Sequence, residues 1–200
     1  MGRCENKREE DTAFSLYQDA GLIVLSGRRT IYINDAITAA MSALFNLALL
    51  DMEARDSKSE ITLYINSPGG EVTAGMSMID TMMTIESDVR TVCVGQASSM
   101  GALILMAGTK GKREILPHSN VLIHQILGGT GSMMQAADIE IYAENISKRK
   151  RELFSFMADM TGQSVEKIAF DCDRNYTLSA AEAVEYGIVD SVIRRHGGGR

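Results

Sequence analysis

Short apolar runs rich in β-branched residues alternate along this chain with longer stretches of helical period, and glycine marks several of the junctions. Leu22 to Gly27, Ile61 to Ile65, Thr91 to Gly95, Glu114 to Leu116, Val121 to Ile123 and Ile188 to Ile193 read as strands. Helical spacing runs from Ala36 to Arg55, with Asn34-Asp35 as its cap and Ile37, Met41, Leu44, Leu47 and Leu50 on one face. It returns over Ala74 to Glu86, over Ser98 to Ala107, and over Met134 to Met160, where Ile139, Ala143, Ile146, Leu153 and Met157 share a face. Ser179-Ala180-Ala181-Glu182 has the spacing of a capping box, and Gly187 sits where the helix it opens would stop. Such alternation predicts an α/β domain with mostly parallel pairing and right-handed crossovers. With 200 residues and 45% hydrophobic content, one packed core is expected, in a single domain over residues 15–195. Residues 1–14 read as a flexible polar segment and 196–200 as a disordered tail.

Charge and composition remove several classes of function. A net charge of -6 argues against an electrostatic grip on nucleic acid or anionic lipid, which rests on clustered cations. The run Lys148-Arg149-Lys150-Arg151 reads as a solvated helix face, and Lys110 to Arg113 as a basic turn. No apolar run is long enough to span a bilayer, and the first eleven residues lack an apolar core, so the expected location is cytoplasmic. Cys4, Cys93 and Cys172 are far apart without CxxC spacing, which predicts free thiols and neither disulfide nor metal. Thirteen methionines suit an adaptable core.

Candidate chemistry begins at Gly95-Gln96-Ala97-Ser98-Ser99-Met100-Gly101-Ala102, where two serines stand at a strand-to-helix junction. One serine there is an ordinary N-cap. With Ser98 serving the helix, Ser99 is free to point elsewhere, and the Met100 N–H at the helix start is placed to meet a developing negative charge. The G-x-S-x-G signature of a nucleophile elbow is absent. A nucleophilic serine requires a base. His196 lies in the tail and His118 follows Pro117 in a turn, whereas His124 ends an apolar strand, either as a base or as a satisfied structural residue. Gly69-Gly70 and Gly128-Gly129 are either plain turns or places where main chain approaches a ligand. In the second case amides near Gly70 complete an oxyanion hole, and those near Gly128 hold an extended peptide by strand addition.

Five segments in order carry a family resemblance: Tyr64-Ile65-Asn66-Ser67-Pro68-Gly69-Gly70, the Gly95 to Ala102 stretch, Ala107 to Arg113, Ile123-His124-Gln125 and Ala183-Val184-Glu185-Tyr186-Gly187. They resemble the proteolytic subunit of the caseinolytic (Clp) protease, and the likeness covers about Leu16 to Ile193. The resemblance implies a ClpP/crotonase-like fold of repeated β-β-α units with a protruding handle, a strand and long helix at about 125–160. It also implies a tetradecamer of two stacked seven-membered rings enclosing the active sites, fed by an ATP-driven AAA+ unfoldase, with no cofactor in this chain. On matching positions it makes Ser99 the nucleophile, His124 the general base, the amides of Gly70 and Met100 the oxyanion hole, and Gly128 and Gly129 the substrate-binding edge.

Counting back from Leu178-Ser179-Ala180, the position of the triad aspartate holds Asn175, where the chain departs from the family pattern. Asparagine accepts an Nδ1–H bond but carries no charge to stabilise the imidazolium. Activity of the isolated chain is therefore expected to be attenuated, unless Asp171 or Asp173 substitutes or a complete paralogous subunit shares the rings. The charged stretch from Arg3 to Asp11 is a second departure, since the family has an apolar segment there. Two other readings stand beside the serine endopeptidase: a scaffold or regulatory subunit, which Asn175 favours, and a crotonase-like acyl-CoA enzyme, which leaves Ser99 and His124 without a role.

Overall fold

The β-branched runs come together in one sheet. In the computed structural model, which describes residues 14–17, 21–127 and 135–194, the strands are β1 (Phe14–Tyr17), β2 (Leu22–Leu25), β3 (Thr30–Ile33), β4 (Ile61–Ser67), β5 (Val89–Ser98), β6 (Arg113–Ile115), β7 (Asn120–Ile123), β8 (Tyr176–Ser179) and β9 (Ser191–Val192). Their order is β1-β2-β3-β4-β5-β6-β9, with β7 paired to β5 and β8 paired to β7. β3-β4, β4-β5, β5-β6, β5-β7 and β6-β9 are parallel, and β1-β2, β2-β3 and β7-β8 are antiparallel. The helices are α1 (Ala39–Arg55), α2 (Val72–Thr84), α3 (Met100–Met106), α4 (Ala136–Thr161), α5 (Val165–Asp171) and α6 (Ala180–Tyr186). The architecture is mixed α/β, a central sheet with flanking helices.

β5 forks the sheet. Its first half pairs with β6 through Thr91, Val92 and Cys93, and its last three residues, Gln96, Ala97 and Ser98, pair with β7. Between the halves the register with β4 jumps, from Ile65 opposite Cys93 to Ser67 opposite Ala97. Gly95, at φ 85°, supplies the left-handed residue that such an irregularity needs. The strand end carrying Ser98 is thereby turned away from β6 and delivered beside the strand that ends at His124.

Several expectations change in detail. α1 starts at Ala39, because Ile37 is held in a parallel bridge to Gly70 and the cap is Thr38, whose hydroxyl accepts from Met41 N–H. The buried face of α1 is Met41, Phe45, Leu49 and Met52, while Leu47 and Leu50 are 66% and 50% exposed. The helix is apolar on two faces, so periodicity alone chose the wrong one. α4 buries only Leu153, Phe154 and Met157; Ile139 and Ala143 stand exposed on the turns that precede them. β1, β3, β8 and α5 escaped the sequence reading, and β9 is shorter than the run from Ile188 to Ile193. The Ser179–Glu182 capping box and the left-handed Gly187 are present as expected. No helix among the described residues is long and apolar enough to cross a membrane.

Arg113, expected in a basic turn, is buried at the start of β6. Its guanidinium donates to both carboxylate oxygens of Asp190, at 2.7 and 3.1 Å, and to the Met160 carbonyl at 2.9 Å, joining the end of α4 to the far edge of the sheet. Burial works to raise the Asp190 pKa, but hydrogen bonds from Arg113 and the Gly111 amide prevail and hold it below the usual aspartate range. The stabilisation is therefore complete above the unfolded value near 3.9 and is lost as pH falls through the lowered folded value. Asp190→Asn is expected to lower unfolding free energy by about 3 kcal/mol at neutral pH, since it strands a charge inside the protein. The denaturant midpoint at pH 7 checks this, and the gap from wild type should narrow as pH drops toward 3.

Candidate active site

Ser99 occupies a strained elbow. It follows the last residue of β5 and precedes the first of α3, with φ 54° and ψ -121°, a backbone conformation costly for a residue with a side chain. Its carbonyl accepts from Ala102 and Leu103 N–H and starts the helix, yet its hydroxyl makes no capping bond. Ser98 does not cap either, contrary to expectation; it is buried at the strand end with its hydroxyl 3.4 Å from Gln96 Oε1. All seven residues of α3 are buried, which fixes the elbow from below. The geometry is that of a nucleophile elbow although the full signature is missing: Gly101 is present at the second position after the serine, and Ala97 replaces the glycine before it.

A second turn packs against this one. After β4, Gly69 (φ 97°) and Gly70 (φ 155°) pass so close that a Cβ on Gly69 would lie 2.6 Å from Ser99 Cβ and 2.8 Å from the Ser98 carbonyl oxygen. A Cβ on Gly70 would meet the Ile37 carbonyl oxygen at 2.1 Å. Ile37 N–H donates to Gly69 O, and Glu71 N–H donates to Ile37 O. Among the described residues, that leaves the N–H groups of Gly70 and Met100 without an acceptor.

Both turns open on a cavity of about 250 Å³, lined by Gly70, Ser99, Met100 and His124. Val72, Leu103 and Leu153, Phe154 and Met157 of α4 give it apolar walls, and Gln125 also lines it. His124 comes from the end of β7, set there by the β5-β7 pairing. Ser99 and His124 line the same space without a direct hydrogen bond. His124 Nδ1 instead bonds the Gln125 carbonyl oxygen at 2.5 Å. Continuing the β7-β8 register one step past Ile123 and Tyr176 would set His124 opposite Asn175, but Asn175 is exposed and hydrogen-bonds to nothing among the described residues.

The two aspartates considered as substitutes are engaged elsewhere. Asp171 accepts from Lys167 Nζ at 2.6 Å and from the Tyr186 hydroxyl at 2.7 Å. Burial pushes its pKa up, but those two bonds and the lysine charge bring it below the usual range. Asp173 is exposed and paired with Arg174 at 3.1 Å. Burial raises the Cys93 and Cys172 thiols to about 12, so both stay protonated. Gly128 and Gly129 lie outside the described residues. Sequence reasoning missed Gln125 as the partner of His124, a role played by a main-chain atom that no residue type announces.

The close approach of the two turns gives a direct test. Gly69→Ala forces both a left-handed alanine and an overlap with Ser99, and is expected to lower stability by about 2 kcal/mol or more. A melting temperature within a degree of wild type would contradict the packing.

Comparisons with known proteins agree on a single family. The Clp protease family model matches residues 15–196. The chain is 51% identical over 169 residues to ATP-dependent Clp protease proteolytic subunit 2 of Prochlorococcus marinus (strain MIT 9313), covering 84% of each chain. It is 53% identical over 161 residues to ATP-dependent Clp protease proteolytic subunit 3 of Synechococcus sp. (strain CC9605), covering 80% of this chain and 78% of that one. Against ATP-dependent Clp protease proteolytic subunit 1 of Shouchella clausii (strain KSM-K16) it is 46% identical over 165 residues, 82% and 84% of the two chains. Matches of this extent, over a chain with this sheet and this serine elbow, place the protein in the Clp protease family of proteolytic subunits.

Proposed function

We propose that this chain is the proteolytic subunit of a self-compartmentalised serine endopeptidase, with Ser99 as nucleophile and His124 as general base. The observation that carries the reading is the strained Ser99 in one cavity with His124 and with the amides of Gly70 and Met100, its hydroxyl and those amides having no hydrogen-bond partner among the described residues. Ser99 Oγ attacks the carbonyl carbon of a bound peptide while His124 Nε2 takes the hydroxyl proton. The carbonyl electrons move to oxygen, and the two N–H groups stabilise the oxyanion. α3 has only seven residues, so these amides contribute as direct donors more than through a helix dipole. Collapse expels the amine, which receives the proton from His124, and water then hydrolyses the acyl-enzyme by the same steps in reverse order.

Exposed apolar side chains are in keeping with an assembled subunit. Leu47 and Leu50 on α1, Met83 on α2, and Ile139 and Ile141 on the projecting turns of α4 are large apolar side chains left exposed. They suit the ClpP/crotonase-like fold in two stacked seven-membered rings, homomeric or mixed with a paralogous subunit, with α4 as the handle. An AAA+ unfoldase would deliver unfolded protein and spend the ATP; short peptides would enter without it. The apolar cavity walls suit an apolar side chain beside the scissile bond.

Asn175 stands at the position that the family resemblance assigns to the triad aspartate, and it supplies no charge to His124. In trypsin-like enzymes an aspartate-to-asparagine change at this role lowers kcat about 10⁴-fold. Asn175→Asp is accordingly expected to raise peptide hydrolysis, by up to about 10⁴-fold, at unchanged assembly; equal or lower activity would count against the triad assignment. A fluorophosphonate should label Ser99, and Ser99→Ala should abolish both labelling and hydrolysis. The idle Asn175 side chain gives the scaffold reading its one specific support. Mixed rings with a catalytically complete paralogue decide between them, since a pure scaffold loses nothing when its own Ser99 becomes alanine.

A further inference from the structure

Gln125 is where the long helix α4 meets His124. Its carbonyl oxygen accepts a hydrogen bond from His124 Nδ1–H at 2.5 Å. Its own position is fixed on three sides: Gln125 N–H donates to Cys172 O at 2.8 Å, its Nε2 donates to Asp173 O at 3.0 Å, and its Oε1 accepts from Lys150 Nζ at 2.8 Å. Lys150 is half-buried on α4 and also lies 5.4 Å from the ring centre of Phe154, a wall of the cavity.

We infer that Gln125 and Lys150 are positioning residues that hold the imidazole of His124 in its Nδ1–H tautomer, in the place of a triad carboxylate. The inference rests on the reading of His124 as general base. A neutral imidazole acts as a base only at the nitrogen whose partner carries the proton, and the hydrogen bond at one nitrogen decides the state of the other. Here the deciding acceptor is the Gln125 carbonyl, with Asn175 uninvolved. A carbonyl can orient the ring and set the tautomer, but it supplies no full negative charge for the imidazolium. Positioning and charge, joined in an aspartate, are thus separated in this chain. Lys150 carries the positioning from a helix turn whose neighbouring residues face away from the body, so the seating of α4 and the orientation of the base are one mechanical unit.

The test uses the full assembled chain, its Lys150→Met and Lys150→Arg variants, and Gln125→Met as a second probe of the same link. Ring nitrogen shifts, assigned to His124 among three histidines by His124→Asn, are read beside kcat and KM for a short peptide. Wild type should show Nδ1 protonated and Nε2 bare at neutral pH. Lys150→Met and Gln125→Met should mix the tautomers and lower kcat about tenfold with KM unchanged, and Lys150→Arg should restore both. Wild-type shifts and kcat in both methionine variants would overturn the inference, as would a loss confined to KM. If the shifts respond as expected but a fluorophosphonate never labels Ser99, the positioning link stands and the peptidase reading falls.

Discussion

The site depends on main chain meeting main chain with no side chain between. Gly69 and Gly70 are packed against Ser99, Ser98 and Ile37 at separations that exclude even a methyl group. That contact holds Ser99 at a positive φ and brings to one side of a cavity two amides that have no acceptor among the described residues. A strained residue persists only where its surroundings over-determine it. Here they are the buried α3 below, the β5-β7 pairing behind and the glycine turn in front.

The irregularity in β5 gives this contact its location. Were β5 a uniform strand, Ser98 and Ser99 would continue along β6, and β7 would have no edge to join. The register jump at Gly95 lets one strand serve two neighbours, and His124 reaches the cavity because its strand joins the second half. A local distortion of the ladder therefore converts two distant segments into neighbours.

Much of this was legible in the sequence, and what was not had physical causes. Alternating strand and helix patterns, the capping box at Ser179 and the glycine pairs located the elements, and the pairing of Ser99 with His124 followed from the family resemblance, since their places at element ends left His124 open as a structural residue. The buried face of α1 was misread because leucines and methionines occupy both of its sides. Tyr176–Ser179 was missed because Leu178 is its one buried residue, which leaves no apolar run to read, and Thr30–Ile33 was missed although it alternates buried and half-buried residues. Arg113 was read as part of a basic turn, and its partner, Asp190, is 77 positions away. The hold of Gln125 on His124 was invisible because the acceptor is a peptide oxygen.

The distance between Arg113 and Asp190 has a bearing on biosynthesis. During translation the arginine leaves the ribosome long before its counter-ion, and 77 further residues must follow. At about 5–20 residues per second that interval is roughly 4–15 s, during which a cation destined for the interior has only water as its partner. Ser191–Val192, the last strand described, pairs with the strand that Arg113 begins, so that edge of the sheet closes only after its segment has been made.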